Sequence, residues 1–123
     1  MTKQVKQITK TDWGLEVVIN DNAILDDTTI LPTTMFILDK CKEFKKDKVL
    51  VDERTITRKV STFKLLEVAE LIRKECGGLR MAFIAPQLVN HADSRTFDTF
   101  AFNRGVSIQY FVDRDTALDW LLK

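Results

Sequence analysis

Short apolar runs alternate with amphipathic segments along the whole chain, and this alternation constrains the fold more than any other feature. The first two runs, Val5–Thr9 and Leu15–Ile19, are separated by a turn that contains Asp12 and Gly14. Two strand-like runs joined by a short turn with these residues are typical of a β-hairpin. The chain is therefore predicted to begin with an antiparallel hairpin.

After the hairpin, helical and strand-like segments follow each other to the end of the chain. The predicted elements are a helix from near Pro32 to Lys46, a strand at Lys48–Asp52, a helix from Ser61 to the stop at Gly77 and Gly78, a strand in "RMAFIAP", a helix from Asn90 or Asp93 to Gly105, a strand in "VSIQYFV" and a helix capped by Asp113. The order β-β-α-β-α-β-α-β-α predicts an α/β fold with a mixed, mostly parallel sheet. We expect one domain over residues 1–123.

Two predicted helices carry apolar stripes that mark the core. The second has Leu65, Val68, Ala69, Ile72 and Cys76 on one face, which is the spacing of an amphipathic helix. The first has Ile37, Leu38, Cys41 and Phe44 on its inward face. The two cysteines lie outside any CxxC spacing, so we expect free thiols, no disulfide and a reducing cytoplasmic compartment.

Charge and hydropathy exclude several classes of protein. The 19 basic and 18 acidic residues leave a formal net charge of +1, which argues against binding of nucleic acid through bulk positive charge. The segment Lys40–Lys48 is locally basic, with five lysines against Glu43 and Asp47. No apolar run is long enough to span a bilayer, and the N-terminus lacks the apolar core of a signal peptide.

The segment before the second helix combines cations with hydroxyl groups. Arg54, Arg58 and Lys59 precede Ser61 and Thr62, and helix N-termini attract anions. An anion-binding or partner-binding site at these residues is one interpretation. A helix capped by the Ser61 hydroxyl behind a solvated loop is the other.

Residues that often carry catalysis are sparse. His91 is the single histidine, and it lacks the neighbouring ligands that a metal site needs. Asp52 and Glu53 are adjacent in a strand and point to opposite faces, so they form a poor acid–base pair; we expect them at a charged loop end on the surface. The sequence predicts no catalytic residues, no metal site and no cofactor.

Aromatic residues are concentrated in the last third of the chain. Phe97 and Phe100 lie at helical spacing and fit a core. Phe102 and Trp120 lie off the main apolar stripes, so we expect them to be exposed. Exposed aromatic side chains mark an interface, and a homodimer or a lipid pocket would account for them.

Three stretches, "VLVDER", "AFIAP" and "NRGVSIQYFVDRDTALDWLL", resemble the small bacterial SpoIIAA-like (STAS-like) domains. The resemblance implies a regulatory domain similar to antagonists of anti-sigma factors. In those proteins a phosphorylatable serine lies in an Asp-Ser-Ser/Thr-Gly motif at a helix start. Here Val60 and Phe63 stand where that motif has Asp and Gly, so the phosphoswitch is not intact.

The same family is also compared with CRAL-TRIO lipid-transfer domains, which implies an apolar ligand. The sequence therefore predicts a non-enzymatic regulatory or protein-interaction domain. A carrier or sensor of a small apolar or anionic ligand is the alternative, and a hydrolase with an unrecognised site is a third.

Overall fold

A computed structural model describes residues 4–20, 23–53, 57–84 and 107–123. The strands are β1 (Val5–Lys10), β2 (Leu15–Ile19), β3 (Ile24–Asp26), β4 (Lys48–Asp52), β5 (Thr57–Lys59), β6 (Arg80–Ile84) and β7 (Ser107–Phe111). The helices are α1 (Ile30–Phe44), α2 (Thr62–Cys76) and α3 (Arg114–Leu121).

The main sheet has five strands in the order β1-β2-β4-β6-β7. Strands β1 and β2 are antiparallel, and every later neighbour in the sheet is parallel. In the turn between β1 and β2, the backbone N–H of Thr11 donates to the carbonyl of Gly14 at 2.8 Å. The predicted mostly parallel sheet with an N-terminal hairpin is confirmed.

A second, two-stranded sheet was not predicted. Strands β3 and β5 pair in parallel, with Ile24 opposite Thr57 and Asp26 opposite Lys59. Each strand has three residues, too few to show the alternation that identifies a strand in a sequence. This small sheet holds the segment before α1 beside the segment before α2.

The larger core lies between the main sheet and helices α1 and α2. Alternate residues of the strands face it, and β2 contributes Leu15, Val17 and Ile19. The helices contribute buried residues from the stripes predicted for them, namely Ile37, Leu38, Cys41, Leu65, Val68, Ala69 and Ile72. The helical period therefore identified these core positions correctly, and the remaining stripe residues, Phe44 and Cys76, are partly buried against the same core.

A smaller core lies on the opposite face of the sheet, beneath α3. Leu121 and Ala117 of α3 pack there against Leu50, Ala82 and Ile84. The helix begins as predicted at Asp113, whose carboxylate accepts the N–H of Thr116 at 2.8 Å.

The expectation that Trp120 is exposed is wrong, because neighbours on two strands cover it and leave it half-buried. Its ring lies 5.7 Å from that of Phe111 and 4.3 Å from the guanidinium of Arg80. Arg80 also donates to the Trp120 carbonyl at 2.7 Å. Whether Trp120 lies in an interface stays a prediction.

Both cysteines are free thiols, as predicted, with Cys41 buried and Cys76 half-buried. Burial raises the pKa of the Cys41 thiol to about 12. The thiol is therefore neutral at physiological pH, and a neutral thiol is a poor nucleophile.

Several predictions concern residues outside the described ranges. They are the helix starting at Asn90 or Asp93, the exposure of Phe102, and the positions of Arg54 and His91.

Candidate functional site

Ser61 caps the N-terminus of α2, as the sequence predicted. Its backbone is extended, and its hydroxyl accepts the N–H of Lys64 at 3.2 Å. Val60 and Leu65 flank the cap, with Val60 partly buried against the core that contains Leu65. These positions correspond to the hydrophobic staple, which fixes the direction in which a chain enters a helix.

A carboxylate lies directly at this cap. Asp27 accepts the backbone N–H of Ser61 at 2.8 Å, because the β3–β5 pairing places the two segments side by side. The pKa of Asp27 is lowered, first by the hydrogen bond from the Ser61 N–H, then by the Ser61 side chain and the charge of Lys64. A negative charge therefore already occupies the end of the helix that attracts anions.

The structure places only some of the predicted anion-binding residues. Ser61 and Thr62 lie at the start of α2, and Lys59 is exposed at the end of β5. The backbone of Arg58 lies in β5, and Arg54 lies outside the described ranges. A convergence of the three cations on one anion stays a prediction, and Asp27 would compete with any such anion.

We expect the free energy of unfolding of the variant Ser61→Ala to be about 1 kcal/mol lower than that of the native chain, because the cap hydroxyl is lost. Urea unfolding followed by circular dichroism measures the difference. Ser107→Ala, which removes the same hydroxyl from an exposed strand position, serves as the control and should stay within about 0.5 kcal/mol. If the two variants were equally stable, the Ser61 hydroxyl would not stabilise the helix as a cap.

Glu53, at the end of β4, is buried rather than in a surface loop. It is 2% exposed, and its N–H donates to the carbonyl of Ile84 at 2.8 Å. The expectation of a charged surface loop is therefore wrong for Glu53. The sequence could not show this, because the burial arises from segments distant along the chain.

Glu53 lines an internal cavity of about 20 Å³ together with Thr33, Thr34 and apolar core residues. This volume is near that of one water-sized probe. Pockets for small organic ligands measure several hundred Å³. The cavity is therefore too small for a lipid-like ligand.

A larger groove, of about 670 Å³, lies on the surface between α1 and α2. Its apolar lining comprises Leu31, Pro32, Met35, Phe63, Leu66 and Leu71, and charged residues Glu67, Glu70, Arg73 and Lys74 border it. Phe63 is 70% exposed, which is unusual for a side chain of this size. We name this surface the α1–α2 groove; sequence periodicity did not predict it.

Within the described residues, no group of three or more histidine, cysteine, aspartate or glutamate side chains could hold a metal ion. None of the described helices is both long and apolar enough to cross a membrane.

The fold of this chain is similar to that of a solved structure. It matches the crystal structure of an uncharacterised protein of the DUF3478 family from Shewanella loihica PV-4, which has a SpoIIAA-like fold. The TM-score is 0.58 at 18% sequence identity, over 95% of this chain and 91% of the other. No protein-family model and no curated protein matches the sequence. This chain therefore has a SpoIIAA-like α/β fold, as the sequence resemblance implied.

Proposed function

We propose that this protein is a non-enzymatic, regulatory protein-interaction domain that works as a homodimer through the α1–α2 groove. The observation that carries the proposal is Phe63, 70% exposed beside an apolar groove of about 670 Å³. Exposed apolar patches of this kind mark interaction sites. The fold is SpoIIAA-like. The sequence resemblance to SpoIIAA-like domains implies a regulatory domain, so this fold supports a regulatory role.

The charges along the groove favour a second copy of the chain as its occupant. Glu67 lies towards the N-terminal end of α2, and Lys74 lies two turns later on the same side. When two copies of α2 pack antiparallel about a two-fold axis near Leu71, Glu67 of each faces Lys74 of the other. Two-fold dimers are the commonest oligomers, and their patches must be self-complementary in this way.

The alternative of a lipid-like carrier is not favoured, because the internal cavity holds only about 20 Å³ and the larger α1–α2 groove is open to solvent and would not enclose an apolar ligand. A phosphoswitch at Ser61 is also not favoured, since Asp27 would repel a phosphate placed on the cap. We retain the proposal that Arg54, Arg58 and Lys59 contribute to partner binding. The free thiols of the cysteines support a cytoplasmic location.

A charge exchange across the dimer axis tests the proposal. Glu67→Lys places like charges opposite each other in its own dimer, and so does Lys74→Glu. We expect each variant alone to dissociate at least about tenfold more readily than the native dimer. A mixture of the two variants restores opposite charges at both contacts and should associate like the native chain. Sedimentation equilibrium at several concentrations measures all three samples.

The variant Phe63→Ser tests the apolar part of the interface. The side chain is exposed in one copy, so the substitution should weaken dimerisation and leave monomer stability within about 0.5 kcal/mol. Leu122→Ser, at a residue 44% exposed on α3, is the matched control and should leave dimerisation unchanged. A native chain that stays monomeric at high micromolar concentration would overturn the homodimer.

A further inference from the structure

A second groove, of about 260 Å³, lies on the other flank of α1, between that helix and the edge strand β1. Its lining includes Ile8 of β1 and Phe36, Lys40 and Phe44 of α1. The three α1 residues recur at every fourth position, so they form one row along the helix. We name this surface the β1–α1 groove.

The row of α1 residues lies close to β1. The ammonium of Lys10 lies 5.7 Å from the centre of the Phe44 ring, and that of Lys40 lies 5.6 Å from the centre of the Phe36 ring. Ile8, which also lines the groove, is half-buried and packs against the larger core. The groove therefore has an apolar floor with cations at its margins.

Strand β1 lies at the end of the main sheet and pairs with β2 on one side. None of the other described strands lies on its outer side. An edge strand presents backbone N–H and C=O groups that can pair with another extended chain. A strand added there would lie beneath Phe36 and Phe44, with alternate side chains directed into the groove.

The charges around the groove select the chemistry of the added strand. Lys6 and Lys40 line it and Lys10 borders it, whereas Glu43 is the acid that pairs with Lys40, at 3.3 Å. The ladder also shifts register between Val5 and Gln7. Edge lysines and bulges commonly discourage strand pairing, so an incoming strand must offset the positive charge.

From these observations we propose that the β1–α1 groove binds an extended, acidic segment of a partner protein as an additional strand beside β1. The segment would alternate apolar side chains, packed against Phe36 and Phe44, with carboxylates near Lys10 and Lys40. Strand addition of this kind gains affinity from backbone hydrogen bonds and specificity from alternate side chains. The inference rests on the proposed interaction role and supplies the chemistry of the partner.

Three synthetic peptides of about seven residues, the length of a short strand, test the proposal by fluorescence anisotropy. In the first, glutamates alternate with valines; in the second, lysines replace the glutamates; in the third, a proline replaces the central valine. We expect the acidic peptide to bind at least about tenfold more tightly than the lysine peptide. The proline peptide should bind about tenfold more weakly than its parent, because proline cannot donate to a ladder.

Variants of the protein locate the site. Lys10→Glu with Lys40→Glu should reduce affinity for the acidic peptide by at least about tenfold. Arg114→Glu with Lys123→Glu makes the same charge change at exposed residues outside both grooves, and this control should bind several-fold more tightly than the first variant. NMR shifts induced by the acidic peptide should concentrate in β1 and along Phe36 to Phe44.

Two results would overturn the proposal: equal binding of the acidic peptide and its proline version, which indicates ionic attraction without strand pairing, or no saturable binding of the acidic peptide. The test is separate from that of the homodimer. Phe63→Ser should bind the acidic peptide like the native chain, so loss of the dimer and loss of peptide binding are measured independently.

Discussion

Replacing Gly14 by alanine is expected to destabilise the fold by about 3 kcal/mol, through overpacking at the start of β2. A Cβ atom at this position would overlap the backbone carbonyl oxygen of Lys48 and lie 2.9 Å from its carbon. These are backbone atoms at the start of β4, so they cannot move aside as a flexible side chain would. The β2–β4 pairing would have to shift to accommodate the methyl group.

The chain offers a matched control for this change. A Cβ atom added to Gly78 would meet no heavy atom within 4 Å, so Gly78→Ala should stay within about 0.5 kcal/mol of the native stability. Urea unfolding of the two variants gives the comparison. Similar midpoints for both would show that β2 and β4 do not approach as closely as described.

The variant Leu121→Ala is expected to lower the free energy of unfolding by about 3 kcal/mol, which is in the range for truncating a fully buried leucine side chain. Leu121 is 0% exposed and packs in the smaller core against Leu50 and Ile84. That core has few members, and α3 supplies two of them. Removing the leucine therefore weakens the attachment of α3 to the sheet.

The neighbouring residue provides the control. Leu122 is 44% exposed, so Leu122→Ala removes the same atoms at almost no cost, within about 0.5 kcal/mol. Thermal unfolding monitored by calorimetry and by the fluorescence of the tryptophans would report both variants. Equal losses would contradict the division of α3 into a buried and an exposed face.

Sequence reasoning succeeded where the signal is local. The hairpin around Gly14, the caps Ser61 and Asp113, and the stripe from Leu65 to Ile72 each depend on residues within a few positions of one another. Such patterns reflect the side-chain periods of strands and helices, and the hydrogen-bond partners that backbone groups at helix ends require. The strands of the main sheet and the helices of the described ranges followed from them, whereas the SpoIIAA-like fold was implied by the resemblance of three stretches of the sequence.

The features of the candidate site depend on contacts between distant segments. Asp27 reaches the Ser61 N–H across 34 positions, and two three-residue strands with no readable period bring them together. Glu53 is buried and Trp120 is covered for the same reason. The grooves flanking α1 arise from how helices pack, and one-dimensional periodicity carries no information on that packing.

The central position of β4 has a consequence for the newly made chain. Val49, Leu50 and Val51 are all buried, and both of the strand's neighbours, β2 and β6, are needed to pair it. During synthesis from the N-terminus, β6 emerges about 30 residues after β4, so one side of an apolar strand stays open during that interval. Lysines flanking such a strand oppose aggregation through their charge. We therefore expect the lysines of the segment Lys40–Lys48, which leads into β4, to oppose aggregation of the incomplete chain.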